Sequence, residues 1–116
     1  MAEEPESEVP EGAAVFPLIP AELVVDPRTL AILHAMVFLA GSDPAVVNPA
    51  AAGEACEFMA GYLQRLKDRH LEEIREDLDC LIRYARHQKW PKQLVRSLES
   101  FLADCGIPEK ESSHGD

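Results

Sequence analysis

A chain of 116 residues with 47% apolar and 28% charged side chains is one domain at most, long enough to bury a core without disulfides or metal. Its three cysteines, Cys56, Cys80 and Cys105, are odd in number and contain no Cys-x-x-Cys pair, which argues against a disulfide framework or a zinc site and favours a reducing compartment. The formal net charge is −10, but residues 1–20 contribute −5 and residues 107–116 contribute −2, so the intervening 21–106 carry only −3. A folded surface that imitates a polyanion is thereby disfavoured, and acidic, solubilising tails are expected at 1–14 and 108–116.

The opening "MAEEPESEVPEG" lacks the basic-then-apolar order of a signal peptide, and the longest apolar run, 30–40, is too short to span a bilayer. A soluble, cytoplasmic protein follows from that reading. Residues 15–25, "VFPLIPAELVV", hold apolar side chains between Pro17 and Pro20. They are expected to cross the bundle as an extended strap.

Ala, Leu, Glu and Arg dominate the rest, and no segment alternates like a strand, so an all-α bundle of about four helices is expected over 15–107. Asp26 and Pro27 start the first helix, Gly41 is placed to end it in a left-handed conformation, and its "LAILHAMVFLA" reads as a central helix covered on all sides. Asp43–Pro44 opens a turn. Asn48–Pro49 opens a helix whose small stripe, Gly53, Cys56 and Ala60, is expected to face the central helix, with Phe58, Met59, Tyr62, Leu63 and Leu66 as a bulkier seam.

The apolar pattern runs on unbroken towards Lys89, but the charges do not. Arg65, Lys67 and Arg69 precede Glu72, Glu73, Glu76, Asp77 and Asp79, and these precede Arg83, Arg86 and Lys89. Bases at helix ends and acids at helix starts complement the helix dipole, which favours two helices, or a kink, near 67–70 over one helix from Pro49 to about Lys89, with Asp68 as a candidate cap. Pro91 opens the last helix, whose stripe of Leu94, Val95, Leu98, Phe101, Leu102 and Cys105 ends at Gly106, Ile107 and Pro108.

No acid occurs from Cys80 to Leu98. Arg83, Arg86, Lys89, Trp90, Lys92 and Arg96 therefore make a basic corner between the last two helices. The bases before the corner complement a helix C-terminus, whereas Lys92 and Arg96 lie at a helix start, where the dipole disfavours them. The plain reading is a solvated corner with Trp90 folded onto Leu94. The functional reading makes these six residues a partner-binding surface for an acidic peptide segment, this chain's own "EEPESE" included. Nucleic acid is the less favoured ligand, because the acidic tails would compete with it.

Catalytic patterns are thin. No glycine-rich phosphate loop occurs, and the Glu-x-x-His pairs on facing helices that a di-iron bundle needs are missing. His70, Glu73 and Asp77 share a helical face but read as a solvated trio, His34 reads as a buried histidine bonded to backbone, and the cysteines read as core. No metal, cofactor or catalytic residue is assigned. The chain is expected to be a non-enzymatic protein–protein interaction module, such as an adaptor, accessory subunit or small chaperone, and self-association as a dimer is expected. A secretion-type export chaperone is the nearest alternative, and a small metal- or thiol-dependent enzyme is the alternative from another class.

Overall fold

A computed structural model describes residues 11–107. Of the expected tails at 1–14 and 108–116, residues 1–10 and 108–116 lie outside the described residues, whereas 11–14 are described and Gly12 and Ala14 bond to Asp43 and Ser42. Four helices and no strand occur among the described residues: α1 (Pro27–Gly41), α2 (Pro49–Leu63), α3 (Asp68–His87) and α4 (Lys92–Asp104). The all-α bundle expected from composition is what forms. It is built from two hairpins, α1 packed on α2 and α3 packed on α4.

The helix starts follow local chemistry. The Asp26 carboxylate accepts the Arg28 N–H at 2.8 Å, and Asn48 Oδ1 accepts the Ala51 N–H at 3.0 Å, each just before a proline that has no N–H to satisfy. The Arg28 side chain also bonds Asp26, which lowers that carboxyl to about 2. Because the folded value is depressed, this cap is fully charged above the ordinary value of 3.8 and is lost as pH falls through about 2.

Two helices rather than one occupy 49–87, as the charge order predicts. Asp68 is not the cap, however. Lys67 holds that position without a side-chain bond, and Asp68 is the first helical residue at φ 51°, a left-handed conformation that aspartate tolerates better than most. The end of α2 is pinned elsewhere: Gln64 Nε2 donates to the Cys105 carbonyl at 2.7 Å.

Both later helices end in the same paired hydrogen bonds. The Ile107 N–H reaches the Leu102 carbonyl and the Gly106 N–H reaches Ala103, with Gly106 left-handed at φ 85°. At the end of α3 the Trp90 N–H reaches the Ala85 carbonyl and the Lys89 N–H reaches Arg86, with Lys89 at φ 60°. A lysine thus occupies the position that glycine fills most easily. Replacing it removes the steric penalty on Cβ, so Lys89→Gly is expected to stabilise the fold by about 0.5–1 kcal/mol, read as a higher urea midpoint. A lower midpoint would mean that the lysine side chain supports the corner in some other way.

Gly41 differs from expectation. It is the last residue of α1 and is not left-handed. Its lack of a side chain serves a close approach instead, since a Cβ there would lie 3.0 Å from the Ala14 Cβ. The chain before α1 lies along that end of the helix: the Ala14 N–H donates to Ser42 Oγ at 2.8 Å and the Asp43 N–H to the Gly12 carbonyl at 2.9 Å.

Phe16, at 1% exposure, is inserted into the middle of the core. Its ring meets His34 of α1 at 5.1 Å and Trp90 of the α3–α4 corner at 5.6 Å, both edge-on. His34 is half-buried against that ring rather than buried on a backbone bond. Phe16 belongs to one buried cluster with Leu33, Leu63, Leu78, Leu81, Ala85 and Leu98. A polar tie joins the hairpins at the other end of α1, where Thr29 Oγ1 donates to Asp77 Oδ2 at 2.7 Å and the Asp26 N–H approaches Asp77 Oδ1 at 3.4 Å.

Two expectations about the first hairpin are corrected. α1 is not covered on all sides: only Thr29 and Leu33 are buried. On α2, Ala52 and Leu63 are buried and Cys56 and Ala60 of the expected small stripe are half-buried on the inner side, but Gly53 meets nothing within 4 Å, and Phe58 and Tyr62 of the expected seam are exposed. An almost uniformly apolar helix has no strong face of its own, so the phase of its contacts is set by what the rest of the chain supplies.

Candidate functional site

The basic corner is more committed to the fold than its sequence suggests. The Trp90 ring stands at 90° between Phe16, at 5.6 Å, and Tyr84, at 5.9 Å. The aromatic expected to anchor a partner therefore already serves the core, and not by folding onto Leu94 alone. Arg86 pairs with Glu99 of α4, the first acid after the acid-free stretch. Both partners are solvent-exposed, so that pair contributes little to stability. Lys89 terminates α3. Arg83, Lys92 and Arg96 are exposed and form no ion pair among the described residues. What the corner offers outward is cationic charge on a rigid turn.

Between the hairpins lies a groove of about 420 Å³ with mainly apolar walls, formed by Met36 and Val37 of α1, Cys56 and Ala60 of α2, and Leu94 and Phe101 of α4. Cys105 closes its floor. Burial raises the Cys56 thiol above its usual range. It raises Cys105 too, where the nearby Asp104 carboxylate adds to the effect. Both thiols are therefore protonated at neutral pH, which is the wrong state for a nucleophile or a metal ligand. A second cavity of about 290 Å³ gathers His70, Glu73 and Asp77 with Asp26, Arg28 and Thr29. There Asp77 is occupied by Thr29, and no group of three or more His, Cys, Asp or Glu is arranged to hold a metal among the described residues.

The least expected surface is on the far side of α1 and α2. Cys56, Glu57 and Ala60 line the groove towards α4, and at about 100° per residue Phe58 and Tyr62 point roughly 170° away from them. By the same count Ala31, Ala35 and Phe38 of α1 point away from Leu33 and the groove. Phe58 is 64% exposed, Tyr62 60% and Phe38 37%. From Thr29 to Gly41 there is no charged side chain, and α2 carries only Glu54 and Glu57. The outer face of this hairpin is therefore largely apolar and, among the described residues, mostly uncovered across both helices. The signal was present in the sequence as a helix without a polar side, but it reads equally as burial within one chain.

No helix among the described residues is long and apolar enough to cross a membrane. No family model, curated protein or solved structure matches this chain.

Proposed function

We propose that this chain is a cytoplasmic, non-enzymatic helical interaction module, an adaptor, accessory subunit or small chaperone, that works by holding other polypeptides. The observation that carries this reading is the outer face of α1 and α2, where three aromatic side chains stand open on a surface almost without charge. Aromatics at about 200 Å² each leave roughly 300 Å² of ring surface in water there, the scale at which an exposed patch on a soluble chain marks an interaction site. Protonated thiols, Cys56 half-buried and Cys105 buried, and a carboxylate held by Thr29 favour this reading over a small thiol- or metal-dependent enzyme. An export-type chaperone is one form the module can take.

A second surface is favoured by a separate observation. Arg83, Lys92 and Arg96 are exposed and have no acidic partner among the described residues, beside Lys89 and the paired Arg86, so an acidic segment of a partner would find complementary charge at the corner. Trp90 is not a clean probe of it, because the ring belongs to the core.

One affinity experiment tests both surfaces: the tagged parent is compared in native extract with Phe58→Asp/Tyr62→Asp and with Lys92→Glu/Arg96→Glu. All four side chains are exposed, so each variant should keep its helicity. The first variant is expected to lose bound polypeptides tenfold or more. The second is expected to bind more slowly, with a weaker dependence on salt. Binding unchanged in the first variant would remove the outer face as the carrier of function, and unchanged kinetics in the second would leave the corner a solvated helix junction.

A further inference from the structure

The outer face has a feature that identifies its occupant. Glu54, Phe58, Gly61 and Arg65 recur at 0, 4, 7 and 11, one stripe along the outside of α2. The Arg65 guanidinium lies 4.9 Å from the centre of the Tyr62 ring, which fixes the cation over this face just beyond the end of the helix. Gly61 is exposed, and a Cβ built there meets nothing within 4 Å of its own chain. The stripe is symmetric about the point between Met59 and Ala60: an acid and a base at its two ends, and a knob and a gap inside them.

We infer that the partner seated on this face is a second copy of this chain, packed antiparallel about a two-fold axis that passes between Met59 and Ala60 in the C-terminal half of α2. In that arrangement each Phe58 enters the space above Gly61 of the other copy, and each Glu54 meets the other copy's Arg65. A two-fold interface requires a surface complementary to itself, with residue i meeting j and j meeting i. This stripe meets that requirement in both shape and charge. Ala31, Ala35 and Phe38 of α1 extend the same surface. An interface at the low end of the stable range takes about 600 Å² from each partner, and the three aromatics supply roughly half of it. The closest approach falls at a glycine, where two helix backbones can come nearest. Gly61 lies in the last turn of α2 with open space above it, and a helix lying across that face accounts for the missing side chain.

This inference rests on the interaction reading above, and its test uses the purified chain alone. Sedimentation velocity at about 100 µM is expected to give twice the 12.8 kDa of the chain, a concentration suited to an interface of this size. Gly61→Leu fills the gap without touching its own chain and is expected to leave a monomer with undiminished helicity. Glu54→Arg and Arg65→Glu are each expected to weaken the dimer about tenfold, and the two together to restore it. A parent that remains monomeric at that concentration overturns the inference, as does a dimer indifferent to Gly61→Leu or not restored by the double reversal. If the parent is monomeric while Phe58→Asp/Tyr62→Asp still loses polypeptides from extract, the interaction reading stands and only the second copy is removed.

Discussion

Phe16→Ala is expected to lower stability by about 3–5 kcal/mol, a large fraction of the total for a domain this size. Phe16 is 1% exposed and lies outside every helix, yet its ring touches α1 through His34 and the α3–α4 corner through Trp90. Removing it leaves a cavity where the two hairpins meet, and the two prolines that follow it, Pro17 and Pro20, limit how far the segment can move to fill it. Leu18, two residues on, is 89% exposed, so Leu18→Ala should stay within about 0.5 kcal/mol. Urea titration measures both. Trp90 is the single tryptophan, so its fluorescence should shift to the red in the Phe16 variant even in the absence of urea. A loss below about 1 kcal/mol would show that residues 11–26 are applied to a bundle that is complete without them.

Leu81→Ala is expected to cost about 3 kcal/mol, with a lower urea midpoint and an unchanged slope. Leu81 is fully enclosed at 0% exposure, and Leu78 and Ala85 flank it at helical spacing on the one face of α3 that meets the core. The cost arises from lost contacts and from a cavity that rigid neighbours do not collapse into, so Leu81→Met should cost less than half as much. Equal losses for Ala and Met would indicate that shape rather than volume is specified at this position.

α3 and α4 were legible in the sequence, and α1 and α2 less so, for one physical reason. In α3 and α4, charged side chains occupy all but one stripe, so periodicity alone identifies Leu78, Leu81, Leu98, Phe101 and Leu102 as inward. In α1 nearly every position is apolar, so the pattern does not distinguish a helix buried in its own chain from one that leaves a face for another. Gly53 and Gly61 show the same ambiguity on α2. Small residues indicate that a backbone can approach, not which backbone, and the structure leaves open space at both.

The corner shows a different limit. The absence of acids from Cys80 to Leu98 is a fact about sequence neighbours, but Glu99 lies just outside that window and reaches Arg86 from the next helix. Trp90 was legible as a ring held out of helical geometry by Pro91. That Phe16, more than seventy residues earlier, would occupy the space beside it was not, because no local rule pairs an extended segment with a distant turn. Nor does Pro91 reveal that Lys89 must turn left-handed to stop α3.

We propose, above all, that the outer face of α1 and α2 is covered by polypeptide when the protein works. The most direct measurement replaces Phe58 with a photo-crosslinking phenylalanine analogue, illuminates the native cells and reads the products by mobility and mass. A matched probe at Glu76, on the exposed side of α3, serves as control. The account predicts a discrete covalent adduct with polypeptide from position 58 and none of comparable yield from position 76. A probe at 58 that reacts only with water, or no more with polypeptide than the control, would contradict it.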